Sequence, residues 1–315
     1  MHLLLKIFLG LLLVYMISGC ARQGRLPGSP EDSIHTLTVD GFKRTYIVHI
    51  PSTFHEPLPL VIALHGGGGS AEKMANLTGL DALSDREGFA VVYPQGVENH
   101  WNDGRDIQEY RAHRENIDDV KFISTVIDTL SEEVTIDEKR IYAVGISNGA
   151  MMACRLACEL SDRIAAIAMV AGGMPVDLRE MCSPRKGVSV LLINGTVDPL
   201  VLWEGGEIQA GRRYLGVTMS VSDTVMYWVR ANGCEESPSV VLLPNTHEDG
   251  CSVNKETYGK GKQGTEVVLY AIEGGGHTWP GGHQYAGEGL IGKTCYDISA
   301  SEVAWQFFSA HEAAS

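Results

Sequence analysis

The run Arg140-Ile141-Tyr142-Ala143-Val144-Gly145-Ile146-Ser147-Asn148-Gly149-Ala150 constrains this chain more than any other stretch. Its first half is apolar and β-branched, the composition of a strand buried on both faces. Its second half sets small residues around one serine. The continuation, Met151-Met152-Ala153-Cys154-Arg155-Leu156-Ala157, favours a helix. Strand, Gly-x-Ser-x-Gly, helix is a nucleophile elbow. The chain must reverse so tightly between strand and helix that the serine takes a strained backbone and its neighbours must lack bulk. Such a turn presents Ser147 Oγ at the carboxyl edge of a sheet, and the amide of Asn148, opening the helix, can face a developing oxyanion.

The flanking sequence repeats the alternation. Residues 34–39 and 44–50 alternate polar and apolar about Asp40-Gly41 and read as an antiparallel hairpin. Residues 57–64 are a continuous apolar run, hence a strand buried on both faces, and residues 89–94, 164–170, 188–193 and 265–272 read as further strands. Residues 71–87, 117–134, 220–232 and 301–311 carry helical spacing. Strands alternating with helices predict an α/β domain with a mostly parallel central sheet and helices on both faces, binding its ligand at the carboxyl ends of the strands.

Three side chains follow three of these strands in the order Ser147, Asp198, His277. A serine nucleophile needs a base to take its proton and a carboxylate to orient that base. Asp198 lies in Asn194-Gly195-Thr196-Val197-Asp198-Pro199 and His277 behind Gly274-Gly275-Gly276, with Asp177 and His283 as competitors. The glycine-rich turn His65-Gly66-Gly67-Gly68-Gly69-Ser70 lacks the Lys-Ser/Thr of a phosphate loop. It suits the second half of an oxyanion hole, with Gly66 and Gly67 converging with Asn148, and His65 structural. Trp101 and Trp279 are candidate stacking surfaces for substrate, with ordinary packing as the alternative. The segment 95–116 reads as a surface loop bordering the site. Asp118 and Asp119 read as first-turn acids favoured by the helix dipole.

The amino terminus reads as a targeting segment. Lys6 precedes an apolar run, and Ile17-Ser18-Gly19-Cys20 resembles a lipobox. The expected organisation is a lipoprotein signal peptide over 1–19, lipidated Cys20, a flexible tether over 20–34 and a catalytic domain over 35–315. Export with a membrane-anchored lipid is the localisation that follows, and the lipid is the sole membrane contact expected. Exported cysteines can oxidise, and Cys234–Cys251, flanking a turn-rich segment, is the favoured pair, with Cys158–Cys182 as an alternative. No CxxC or HExxH spacing is present, so no metal is expected. A formal net charge of −14 argues against nucleic acid as a partner.

Taken jointly, His65-Gly66-Gly67-Gly68-Gly69-Ser70, Trp101-Asn102-Asp103-Gly104-Arg105, Asp118-Asp119-Val120, the segment 145–152, Asn194-Gly195-Thr196-Val197-Asp198 and the segment 276–282 resemble the polyhydroxybutyrate-depolymerase-like esterases. That group includes feruloyl and acetylxylan esterases of carbohydrate esterase family one. The resemblance runs from about Thr36 to His311. It implies an α/β-hydrolase fold and cofactor-free hydrolysis of a small or oligomeric ester through an acyl-enzyme, with nucleophile, acid and base at Ser147, Asp198 and His277. The candidate substrates are feruloyl and acetyl esters of plant polysaccharide and hydroxybutyrate-type esters. Asn194 stands where the family often has histidine, and Trp203 where it often has tyrosine, which leaves the pocket shape open. A peptidase or thioesterase on the same fold, or a non-catalytic binding lipoprotein, are the competing readings.

Overall fold

A computed structural model of the chain describes residues 33–313, except 211–212. The signal peptide, Cys20 and all but the end of the tether lie outside the described residues. Ser33 and Ile34, assigned to the tether, instead open the first strand.

In chain order the strands are β1 Ser33–Val39, β2 Phe42–His49, β3 Leu58–Leu64, β4 Ala90–Pro94, β5 Ile136–Ile146, β6 Ala166–Val170, β7 Ser189–Gly195, β8 Gly206–Ala210, β9 Arg213–Thr218, β10 Ser239–Leu242, β11 Ser252–Tyr258 and β12 Val267–Glu273. The helices are α1 Ala71–Thr78, α2 Leu80–Glu87, α3 Arg111–Arg114, α4 Asp119–Glu133, α5 Asn148–Glu159, α6 Val176–Met181, α7 Val221–Asn232, α8 Glu288–Ile291 and α9 Ala300–Ser309. Ten strands form one sheet in the order β1-β2-β4-β3-β5-β6-β7-β12-β11-β10. From β4 to β12 the neighbours are parallel, and the pairs at both edges are antiparallel. The hairpin β8–β9 stands apart from this sheet.

The period of two explains the two-sided core. Along β3, Leu58, Leu60, Ile62 and Leu64 face a cluster that includes Phe122, Ile123, Met152, Leu156, Val225 and Trp228, from α4, α5 and α7. The intervening Val61 and Ala63 face a second cluster with Met74, Leu83, Ala304 and Phe308, from α1, α2 and α9. The helices begin where the sequence supplies acceptors: Ser70, Asp118, Ser220 and Ser299 each accept an amide hydrogen from the first turn.

The cysteine pairing differs from the expectation. Cys158, at the end of α5, is bonded to Cys182, just after α6. Cys234 and Cys251 are unbonded. The register shows why: Ser239 faces Thr257 and Leu242 faces Asn254, and Glu235 N donates to Gly259 O at 3.1 Å. Cys234 therefore sits by the far end of β11 while Cys251 sits at its beginning, about 20–25 Å away at 3.3 Å per residue. The short hairpins β8–β9 and β10–β11 are further findings, since strand patterning between 201 and 264 is weak in the sequence.

Candidate active site

The parallel strands β3, β5, β7 and β12 end at one edge of the sheet, and each delivers one part of the site. Beyond β5, Ser147 has φ 56° and ψ −121°, a region costing about 1–3 kcal/mol for a non-glycine residue. Its amide donates to Val170 O at 2.9 Å. The flanking glycines are forced by contact. A Cβ on Gly145 would lie 2.3 Å from the carbonyl of Gly149, and one on Gly149 would lie 2.2 Å from Leu64 O. The helix start is thereby pressed onto the end of β3, setting Gly66 beside Ser147 and Gly67 beside Asn148.

Asp198 follows β7 and His277 follows β12. Asp198 Oδ1 accepts the amides of Leu200 at 2.8 Å and Val201 at 2.9 Å, which fixes the turn. Its Oδ2 accepts from His277 Nδ1 at 2.7 Å. Both side chains are almost wholly buried. With Nδ1 donating to the carboxylate, Nε2 is left for the cavity, where His277 and Ser147 are both wall residues. Among the described residues Ser147 Oγ has no hydrogen bond to His277. The competitors are elsewhere: Asp177 Oδ2 accepts the amide of Asp106, and His283 is an exposed wall residue with no carboxylate partner among the described residues.

The second glycine turn is also ordered. Gly68 and Gly69 donate their amides to Asn99 O and Gly66 O, each at 2.9 Å. No acceptor takes the amide of Gly67 among the described residues. His65 is structural, as expected. Gly96 N donates to its Nε2 at 3.0 Å and its Nδ1 donates to Gly66 O at 2.8 Å. Burial lowers its pKa to about 4, so the ring is neutral at ordinary pH.

Trp101 and Trp279 offer substrate no surface. They are 0% and 1% exposed, and each indole N–H is satisfied inside the protein, by His65 O at 2.9 Å and Ser301 Oγ at 3.1 Å. The segment 95–116 is likewise no surface loop in its middle: Trp101, Asn102, Asp103 and Arg105 are all buried. The side chain of Asn148 is clamped by this segment. Its Oδ1 accepts Trp101 N at 2.9 Å, and its Nδ2 donates to Trp101 O at 3.1 Å and Asp103 Oδ2 at 2.6 Å. Asp103 in turn accepts Arg105 Nη2 at 2.7 Å. Burial works to raise the Asp103 pKa, but Arg105, helped by His113 and Asn148, outweighs it and holds the carboxyl below its usual range. Asp118 caps α4, but Asp119 is buried and pairs with Arg44 at 2.6 Å while accepting Asn102 N. From the first turn of α4, where the sequence placed it, it also anchors the same segment.

Above the serine lies a cavity of about 830 Å³. Sequence reasoning missed most of its walls. Met151, Val201, Ile208 and Leu215 form a small apolar cluster, backed by Tyr110. Met74, Leu77 and Ile291 also line the cavity. Tyr285 closes over His277, donating its hydroxyl to His277 O at 2.6 Å, and His100 stacks on Tyr110 at 3.5 Å. The alternation of Ile208 and Leu215 across a hairpin was the available signal, but the strands are too short to stand out.

A sheet of this order, with its site at the ends of the parallel strands, is that of an α/β-hydrolase. In the acetyl xylan esterase from Aspergillus awamori the same fold recurs with TM-score 0.59 at 15% identity, over 88% of this chain and 99% of that one. A thermostable esterase gives TM-score 0.55 at 16% identity, over 89% of this chain and 63% of that one. The family described as "Esterase PHB depolymerase" matches residues 44–232. The putative esterase NocK of Nocardia uniformis subsp. tsuyamanensis is 34% identical over 280 residues, 86% of this chain and 80% of that protein. Feruloyl esterase B of Piromyces equi is 31% identical over 244 residues, 74% of this chain and 42% of that protein. The chain belongs to the esterase PHB depolymerase family and is a carboxylic ester hydrolase.

Proposed function

We propose that the protein is an exported serine esterase that works through an acyl-enzyme on feruloyl or acetyl esters of plant polysaccharide, or on hydroxybutyrate-type esters. The observation that carries this reading is the buried Asp198–His277 pair at 2.7 Å, on the wall of the cavity that also holds Ser147. His277 Nε2 takes the Ser147 proton as Oγ attacks the ester carbonyl. The amides of Asn148 and Gly67, with Gly66 shaping their approach, hold the oxyanion. His277 then protonates the leaving alcohol, and a water molecule, deprotonated by the same imidazole, releases the acid and restores Ser147. The names of relatives, feruloyl and acetylxylan esterases among them, support the substrate classes. The apolar cluster Met151, Val201, Ile208 and Leu215 suits the acyl group.

Hydrolysis of methyl ferulate, acetylated xylo-oligosaccharide and a hydroxybutyrate oligomer, each with wild type and Ser147→Ala, tests the reading. Activity on one of them that disappears in the variant is expected. Activity that survives in Ser147→Ala overturns the nucleophile. Hydrolysis of a thioester or peptide but of none of the three esters overturns the substrate class.

Anchoring through a lipid on Cys20 is part of the same proposal and is supported by Ile17-Ser18-Gly19-Cys20 after an apolar run. Radiolabelled palmitate should enter the wild type in cells and not Cys20→Ala, whose product should leave the membrane fraction.

A further inference from the structure

Cys251 and Cys295 are both buried, at 3% and 0% exposure. Their sulfur atoms and a carboxylate oxygen of Asp249 all lie within 4.8 Å of one another. They belong to segments that are already strapped together. Asp249 accepts Cys251 N at 2.9 Å through one oxygen and Tyr296 N at 2.7 Å through the other. Asp297 Oδ1 accepts the amides of Thr246 at 2.7 Å and His247 at 3.0 Å. The sulfurs therefore meet on a fixed frame.

That frame supports the base of the proposed triad. Gly276 N donates to Lys293 O at 2.9 Å, and Gly281 N donates to Cys295 O at 2.8 Å, one on each side of His277. A carbonyl two residues before Cys295 and the carbonyl of Cys295 itself thus carry the loop that presents the imidazole.

We propose that Cys251 and Cys295 are a second oxidation site, joined in the mature protein by a disulfide that braces the His277 loop. The chemistry is exchange with a low-molecular disulfide or a thiol oxidoreductase. One cysteine thiolate attacks the donor's S–S bond and expels one donor thiol, and the second cysteine then attacks the mixed disulfide and expels the other. Two protein thiols are oxidised, one donor disulfide is reduced, and two protons pass to the departing thiols. The chain already carries one such bond, Cys158–Cys182. A metal centre fits the same atoms less well. Both oxygens of Asp249 are engaged by backbone amides, and no fourth donor joins the three among the described residues. Burial, then Cys295 and Asp249, push the Cys251 thiol up to about 12, so the exchange belongs to folding, before this face closes.

The full chain is refolded in a buffer of oxidised and reduced glutathione, alkylated, digested without reductant and mapped by mass spectrometry, with zinc measured on the same sample. The expected map joins Cys251 to Cys295 and Cys158 to Cys182 and finds Cys154 and Cys234 alkylated. Alkylated Cys251 and Cys295 overturn the proposal, whether or not Cys158 and Cys182 are joined. So does one retained zinc per chain whose removal by chelator frees both thiols. In a Cys158→Ala/Cys182→Ala background, reductant should lower Tm by about 5 °C, and adding Cys295→Ala should abolish that shift. A Tm that ignores reductant in the first background overturns the bond as a brace.

Discussion

The floor of the cavity and its rim are held in different ways. Ser147, Asp198 and His277 sit at the ends of strands β5, β7 and β12 of the ten-stranded sheet, and the groups behind them are buried and hydrogen-bonded. The rim is made of the excursion β8–β9 and the segment 283–291. The hairpin is a two-stranded sheet of its own, joined to the body, among the described residues, by a single bridge at Thr218. It is tied to the rest of the domain by the Arg105 Nη1 bond to Leu215 O, by packing of Ile208 and Leu215 with Met151 and Val201, and at its base by that bridge from Thr218 to Pro175. Tyr214 is half exposed, and Arg213 reaches Glu109 across open surface at 3.2 Å. The contrast separates two tasks. A rigid floor holds reacting atoms at fixed distances, and a lightly attached rim can be exchanged without disturbing them.

Four substitutions test that division, in descending order of effect. Ser147→Ala should lower kcat/KM on p-nitrophenyl acetate by about 10⁵-fold, roughly 7 kcal/mol, with the urea midpoint not lowered. A smaller loss would mean that the floor does not depend on its serine. Asp103→Ala leaves the buried Arg105 without its carboxylate and removes one of the three bonds that clamp Asn148, so it should cost about 3–5 kcal/mol in urea unfolding. Activity per folded molecule should fall about 10-fold if the Asn148 amide holds the oxyanion as proposed. Loss of stability without loss of specific activity would show that the clamp does not reach the chemistry.

His65 gives the floor a pH signature. Its pKa is lowered to about 4 in the folded chain, against 6.5 unperturbed. Between those values the unfolded chain binds a proton that the folded chain refuses. Its contribution to stability is therefore complete above pH 6.5 and declines as the pH falls toward 4, by up to about 3 kcal/mol. Unfolding free energies measured from pH 7 to 4 should show this slope in wild type and a shallower one in His65→Gln. Equal slopes would place the acid sensitivity elsewhere. At the rim, Ile208→Ala should change the ratio of kcat/KM between feruloyl and acetyl esters by about 10-fold, since lost apolar contact of this size is worth roughly 1–3 kcal/mol, with little change in Tm. A large fall in Tm would mean that the rim is part of the scaffold after all.

The same division explains what could be read in the sequence. The strand-then-turn rhythm that ends in Ser147, Asp198 and His277 is local, and each parallel strand fixes where its successor residues emerge. The order of three motifs was therefore enough to bring Asp198 and His277 together. Burial of a polar aromatic is not local. Trp101 and Trp279 became core residues because His65 O and Ser301 Oγ, 36 and 22 positions away, satisfy their N–H groups. The buried pairing of Asp119 with Arg44 spans 75 positions and has no sequence period. Cysteine pairing depends on which strand ends meet, and a short separation between Cys234 and Cys251 concealed a full strand length between them. The rim was invisible because β8 and β9 are short and mixed in polarity.

The elbow has a consequence for the history of such chains. Ser147 holds a backbone angle that a side chain resists, whereas Gly145 and Gly149 are fixed by contacts under 2.5 Å that any replacement would violate. Selection for folding alone would keep both glycines and release the serine. Ser147→Gly should even raise the unfolding free energy, by about 1 kcal/mol after the added freedom of the unfolded chain is subtracted. A lineage no longer maintained for hydrolysis should thus drift to Gly-x-Gly-x-Gly at this turn, leaving the empty frame of the elbow as the fossil of a retired enzyme.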